Sequence, residues 1–209
     1  MIGIIDYGMG NLYSLSKAIE RLGYGYEFIS RPERLDDFSG LILPGVGAFG
    51  DAMKNIQVLG LDAGIHAYAD SGRPLLGICL GMQLLFEQST EHGVNTGLGL
   101  LGGEAVRFEG DYKVPHMGWN QLSLCGERAS EHPLLRGVGS GEYVYFVHSY
   151  HVRVSDPEVL LATTDYHQPV TAIVGRGRVY GMQFHPEKSG ETGMRLLANF
   201  AEQCEGETA

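Results

Sequence analysis

The chain has 209 residues, 44% hydrophobic and 19% charged, which is enough apolar side chain for a sizeable core and excludes a disordered chain. A formal net charge of −10 argues against general binding to nucleic acid or to anionic membranes. The three cysteines, Cys79, Cys125 and Cys204, show no CxxC spacing, which argues against a zinc knuckle or a disulfide framework and fits a reducing compartment.

The opening MIGIIDYGMG lacks the basic flank and long apolar core of a signal peptide, and no apolar run approaches the ~20 residues of a membrane span. A cytoplasmic protein is expected. IGIID, residues 2–6, has the apolar run of a buried parallel strand. GNLYSLSKAIERLG then places Leu12, Leu15, Ile19 and Leu22 at helical spacing, with Gly23 as the stop. YEFIS (26–30) and LILP (41–44) read as strands, and AFGDAMKNIQVLG and LDAGIHAYADSG as helices. PLLGIC is a further buried strand, and LGMQLLFEQS is expected to form one helix after it. This alternation predicts an α/β fold with a mainly parallel sheet.

The second half is richer in β signals. EAVRFEG, KVPHMGWNQLSL, EYVYFVHSYHVRV, VLLATTDY, PVTAIVG and RVYGMQF are broken by Gly, Pro and Asp. They predict a smaller antiparallel extension. SGETGMRLLANFAEQ returns to a helix, with Met194, Leu197, Ala198 and Ala201 inward. The glycines are dispersed rather than gathered in a hinge. Residues 1–203 are therefore read as one domain and 204–209 as a frayed tail.

Chemistry concentrates at Gly77-Ile78-Cys79-Leu80-Gly81. A cysteine between glycines at −2 and +2, where a strand meets a helix, has the pattern of a nucleophile elbow. The sharp turn leaves no room for neighbouring side chains, and the thiol emerges at the carboxyl end of the sheet. The helix N-terminus favours the thiolate, and the Leu80 N–H is placed to meet an oxyanion. The competing reading is a buried structural cysteine.

A thiol nucleophile needs a base. Among eight histidines, His66, His92, His132 and His167 have polar or helical surroundings and are expected to be solvated. His185 ends an apolar strand and precedes Pro186 and Glu187. An extended segment would put His185 and Glu187 on one side, so the carboxylate could hold the imidazole tautomer. Gly45-Val46-Gly47-Ala48-Phe49-Gly50 fits GxGxxG. The next strand ends in Cys79 rather than in an acidic residue, so a dinucleotide site is disfavoured. The turn is read instead as a second source of oxyanion donors.

These elements together resemble the class I glutamine amidotransferases, which use a Cys-His-Glu triad. The ordered set IIDYGMGNL, LPGVGAFGDAM, GICLGMQLLFE, VPHMGWNQL, YFVHSYHV and QFHPEKSG covers almost the whole chain. Within that family it is similar to the glutaminase subunits of imidazole glycerol phosphate synthases, which serve histidine biosynthesis. The resemblance implies a flavodoxin-like mainly parallel central sheet flanked by helices, and neither cofactor nor metal. It implies Cys79, His185 and Glu187 as the triad and Leu80, Val46 and Gly47 around the oxyanion. It further implies Gln83, Glu91, His148, Ser149 and Tyr150 against bound glutamine. A (β/α)8-barrel cyclase subunit would receive the ammonia in a heterodimer and make imidazole glycerol phosphate and an aminoimidazole carboxamide ribonucleotide. Asn11, Met117, Trp119, Tyr145 and Lys188 fall at the implied docking surface, with core burial as the rival reading for Trp119.

Many class I relatives carry Pro-Gly-Gly where this chain has Pro44-Gly45-Val46-Gly47. A β-branched residue disfavours positive φ, so the Gly45–Val46 peptide is expected to rest with its carbonyl towards the site until a partner acts. Three alternatives stay open from sequence: a glutaminase subunit of another pathway such as vitamin B6 synthesis, a stand-alone γ-glutamyl amide hydrolase, and a non-enzymatic binding module. Cys125 and Cys204 are read as structural or incidental.

Overall fold

Short parallel strands and α-helices are interspersed through the first 84 residues of the computed structural model, which describes residues 1–206. The order is β1 (Ile2–Ile5), α1 (Leu12–Arg21), β2 (Tyr26–Ile29), β3 (Gly40–Leu43), α2 (Phe49–Val58), α3 (Leu61–Asp70), β4 (Leu75–Ile78) and α4 (Leu80–Leu84). Strands then dominate: β5 (Phe86–Ser89), β6 (Asn95–Thr96), β7 (Leu101–Arg107), β8 (His116–Gln121) and β9 (Ser123–Leu124). After α5 (Gly126–Glu131) come β10 (Tyr143–His148), β11 (Tyr150–Val154), β12 (Leu160–Asp165), β13 (Pro169–Arg176) and β14 (Val179–Met182), and α6 (Gly190–Glu205) closes the chain.

The main sheet has eight strands in the order β2-β1-β3-β4-β14-β13-β12-β9. The first five pair in parallel and the remaining three antiparallel. Side chains alternate across a strand, so each short apolar run feeds two cores. Ile2, Ile4, Ile42, Leu76 and Ile78 pack with α1 and α6 through Leu15, Ile19, Leu196, Leu197 and Phe200. Ile5, Leu41, Leu43 and Leu75 pack on the other face with Phe49, Ile56, Ile65 and Tyr68 of α2 and α3. Two smaller sheets, β11-β7-β5-β6 and the β8–β10 ribbon, stand beside this framework.

The topology positions the site. β14 enters the sheet between β4 and β13, with Met182 level with Ile78. The Cys79 N–H donates to Met182 O at 2.8 Å. Two segments about a hundred residues apart therefore end side by side in the middle of the sheet. The crevice beyond the carboxyl ends of parallel strands is where open α/β sheets build their sites.

Several expectations are corrected. LGMQLLFEQS is not one helix: α4 has five residues, and Phe86 opens a strand. β7 offers Phe86 and Ser89 a ladder, and Leu98 N–H takes the Leu84 carbonyl, so pairing outcompetes local helical spacing. EYVYFVHSYHVRV splits at Ser149 into β10 and β11, which belong to different sheets. α6 runs through Glu205, two residues into the expected tail, because Cys204 is buried beneath Gly40, whose Cβ would sit 2.0 Å from its Sγ. The rest of that expectation, residues 207–209, lies outside the described residues. On α6, Leu197 and Ala201 are buried as expected, Met194 and Ala198 only half so, and Leu196 and Phe200 complete the face.

Candidate active site

Cys79 follows β4 directly and has φ 55° and ψ −113°, a conformation rare for a residue with a side chain. The flanking glycines explain how it is held. A Cβ on Gly81 would lie 1.8 Å from Leu43 O, and one on Gly77 would lie 2.6 Å from Gly81 O. α4 is thus pressed onto β3 and β4, and only glycine permits that approach. The helix gives Cys79 little more than one turn of aligned peptides, so its dipole contributes less than a full helix would.

His185 is 4% exposed and lines the same cleft as Cys79. Its Nδ1 donates to Glu187 Oε1 at 2.8 Å. The geometry differs from the expected extended pair. Pro186–Lys188 form a 3₁₀ turn, closed by Lys188 N–H to His185 O at 3.0 Å. The turn, rather than strand alternation, curls Glu187 back onto the ring. The Ser189 hydroxyl also donates to His185 O at 2.7 Å, and the His185 N–H donates to Tyr145 O at 3.0 Å. Burial by itself would lower the imidazole pKa. Hydrogen bonds to Cys79 and Glu187, with their negative charges, outweigh it and raise the ring to about 10.

Sequence reading missed Gln183. It is fully buried, and its Nε2 lies 3.8 Å from Cys79 Sγ as a donor. Its Oε1 accepts from Gln83 Nε2 at 3.1 Å, and the same Gln83 nitrogen donates to Tyr150 O at 3.1 Å. A polar residue inside the apolar run RVYGMQF was the available signal.

The cleft has a volume of about 700 Å³. It brings together Cys79, His185, Leu80, Val46, Gly47, Gln83, Glu91, His148, Ser149 and Tyr150, all named from sequence, and adds His92 and Arg107. Glu91 Oε2 accepts from Phe49 N–H at 2.6 Å, which ties it to the start of α2 and leaves Oε1 for another donor. Val46 is 42% exposed, is not among the residues with positive φ, and is followed by Gly47 at φ 104°. Tyr7 OH donates to Pro44 O at 2.8 Å. Among the described residues, no hydrogen bond reaches the backbone of Gly45, Val46 or Gly47.

The expected docking residues divide. Met117 and Trp119 are 54% and 55% exposed, so core burial does not account for the tryptophan. Trp119 packs edge-on against Tyr145 at 6.1 Å, and the two are cross-strand partners in the β8–β10 ribbon. Lys188 is exposed and Asn11 half-buried, the latter lining a small cavity of about 10 Å³ shared with Val46, His185 and Glu187. Of the histidines expected to be solvated, His92 and His167 are exposed. His66 and His132 are half-buried, and His132 Nδ1 accepts from Leu134 N–H. No group of three His, Cys, Asp or Glu is placed to hold a metal among the described residues. No helix among them is long and apolar enough to cross a membrane.

The family model described as glutamine amidotransferase class-I matches residues 3–204. A Geobacillus kaustophilus protein named imidazole glycerol phosphate synthase subunit HisH is 58% identical over 96% of this chain and 95% of its own. The Bacillus subtilis protein of the same name is 53% identical over 98% and 97%. Among solved structures, a glutamine amidotransferase superposes with a TM-score of 0.76 at 22% identity, over 98% of both chains. PurLQS from Thermotoga maritima gives 0.76 at 21% identity over 97% of both. The fold is that of class I glutamine amidotransferases, with a mainly parallel centre and antiparallel strands at one side.

Proposed function

This chain belongs to the class I glutamine amidotransferases, and from that premise we propose that it is the glutaminase subunit of an imidazole glycerol phosphate synthase. It would hydrolyse glutamine to glutamate and ammonia for histidine biosynthesis. The observation that carries the reading is the juxtaposition of a strained, glycine-flanked Cys79 with a Glu187-bound His185 at the level ends of β4 and β14.

In this reading Cys79 Sγ attacks the carboxamide carbon of glutamine while His185 holds the proton. The Gln183 Nε2–H supports the thiolate from the buried side. The tetrahedral oxyanion meets the Leu80 N–H and a donor of the Val46–Gly47 turn. His185 protonates the leaving nitrogen, ammonia departs and a thioester remains. His185 then takes a proton from water, which attacks the thioester and releases glutamate and the thiol. Glu187 keeps Nδ1 protonated throughout, so that Nε2 works alone. Glu91 Oε1 and Gln83 Oε1 are the acceptors for the substrate ammonium, and the Ser149–Tyr150 backbone faces its carboxylate.

The partner is a (β/α)8-barrel cyclase docked on the exposed side of the β8–β10 ribbon, over Met117, Trp119, Tyr145, Lys188 and Asn11, in a cytoplasmic heterodimer. Exposed Met and Trp on a two-stranded ribbon next to the catalytic histidine are what supports that face. The Gly45–Val46 peptide supplies its donor only when partner and acceptor nucleotide are bound. One missing oxyanion donor costs about 3–4 kcal/mol, or roughly 10²–10³ in rate. The test compares glutamine turnover by the isolated chain with turnover by the complex plus nucleotide. Equal rates would remove the activation step, and no turnover in either would remove the glutaminase reading.

A further inference from the structure

His116 and His148 lie outside the Cys79–His185–Glu187 constellation, yet they face each other across the β8–β10 ladder. Both are buried. Phe108, Phe146 and Tyr166 box them in, with Tyr166 stacked on the His116 ring at 4.0 Å and Phe146 at 4.7 Å. His148 lines the substrate cleft and His116 does not.

Their protons can be assigned from the partners alone. His148 Nδ1 lies 2.8 Å from Tyr150 O, which only accepts, so the proton sits on Nδ1. A neutral His148 then presents a lone pair at Nε2. His116 Nδ1 is 3.0 Å away and must donate to it. His116 Nε2 is left as an acceptor and receives Asn120 Nδ2–H at 3.3 Å. Asn120 is itself oriented, since its Nδ2 also donates to Asp165 O at 2.7 Å and its Oδ1 accepts from Gln121 N–H at 2.8 Å. Burial keeps both rings uncharged, with His116 lowered to about 4 and His148 to about 3.

The chain of bonds does not stop at His148. Tyr150 O also accepts from Gln83 Nε2, which donates to Gln183 Oε1, and Gln183 Nε2 points at Cys79 Sγ. On the other side of the same residue, Ser149 O accepts from Phe108 N–H at 3.1 Å. The two peptide units flanking Tyr150 are thus both pinned by their carbonyls, one of them through His148.

We propose that His116 is a positioning residue for glutamine: its Nδ1–H locks the His148 tautomer, and through it the His148–Tyr150 wall of the cleft. The proposal rests on the glutaminase reading for its kinetic consequence but not for its proton assignment. Without that donor, the His148 Nε2 lone pair has no partner in an aromatic box. The ring relieves this by carrying its proton on Nε2 or by turning. In both cases Tyr150 O loses one of its two holds.

The experiment uses the complex with its cyclase and acceptor nucleotide for kinetics, and the ¹⁵N-histidine-labelled chain for NMR. In the unaltered chain His148 is expected as the neutral Nδ1–H tautomer. His116→Phe keeps the stacking and deletes the donor. It is expected to raise KM for glutamine about tenfold, the scale of one orphaned buried acceptor, and to move His148 towards Nε2–H. Its kcat should stay within about threefold, which separates lost binding from lost chemistry. His116→Asn returns an N–H near the Nδ1 position and should restore KM to within about threefold of the unaltered complex. An Nε2–H tautomer in the unaltered chain overturns the proposal even if His116→Phe fails to fold. So does an unchanged KM in His116→Phe, or His116→Asn failing as badly as His116→Phe. Absence of glutamine hydrolysis by the unaltered complex would overturn the glutaminase reading and leave the tautomer result standing.

Discussion

The elbow around Cys79 and the turn Pro44–Gly47 face each other across one cleft and are built in opposite ways. The elbow is clamped. Cys79 occupies a strained backbone conformation, its N–H is bonded to β14, and Gly77 and Gly81 leave no slack beneath it. The turn has one hydrogen-bonded anchor, where Tyr7 OH holds Pro44 O, and Gly45 packs against Tyr7 and Gly81 beside it. Beyond that point its backbone has no hydrogen bond among the described residues, and Val46 is 42% exposed where it lines the cleft. Strain persists only where surrounding structure over-determines it, whereas an unbonded turn can change state at small cost. In the proposed reading, the nucleophile is prepared in advance and the oxyanion donors of the turn are left adjustable.

The largest expected effect breaks the elbow chemically. Cys79→Ala should lower glutamine-dependent synthesis by roughly 10⁴ or more while ammonia-dependent synthesis by the complex is unchanged. Measuring both nitrogen sources on one preparation checks it; retained glutamine activity would remove Cys79 from the mechanism. Next is the clamp. Gly81→Ala drives a methyl into Leu43 O and should destabilise the fold by about 3 kcal/mol, seen as a lower urea midpoint. A midpoint equal to the parent's would mean the elbow has slack after all.

The turn should respond in the other direction. Val46→Gly removes the β-branched restraint, and basal glutaminase of the isolated chain should rise about tenfold, part of what a recovered oxyanion donor is worth. Its stability should change by about 1 kcal/mol or less, because Val46 is exposed. A fall in basal rate with intact folding would contradict the division between the two regions.

The smallest effect concerns pH. Burial opposes charge on His185, and the Cys79 and Glu187 partners overcome it, raising its pKa to about 10. A folded pKa above the unfolded value of about 6.5 contributes stability that is fully present below pH 6.5 and lost as pH rises towards 10. Cys79→Ala removes the leading upward contribution, so the His185 titration should move down and the loss of stability over this window should shrink. NMR titration of His185, with urea unfolding at intervals from pH 6.5 to 10, reads both. An unmoved titration would mean that the thiol does not sense the base.

Local patterns carried much of this reading, and the exceptions share a cause. The elbow was legible because an apolar strand, the glycine spacing and a cysteine all lie between Leu75 and Gly81. His185 and Glu187 were legible because they are two residues apart, although the 3₁₀ turn that joins them was not. The helix expected after Cys79 failed at Phe86, where a ladder with β7 supplied hydrogen bonds that local periodicity cannot register. Trp119 was placed at a docking surface by the resemblance alone, with core burial as its rival, and the ribbon leaves it 55% exposed.

By itself the sequence determined the alternation of strand and helix, the elbow, and the family pattern that joins it to His185 and Glu187. Each of these depends on residues that are neighbours in the chain or that recur in a fixed order. The tertiary structure decided that β14 lies beside β4, that Gln183 reaches Cys79, and that His116 and His148 form a neutral, oriented pair. Those contacts join residues 32 to 104 positions apart. Their chemistry depends on burial and on which carbonyl or lone pair is opposite, and both come into being only when the sheet closes.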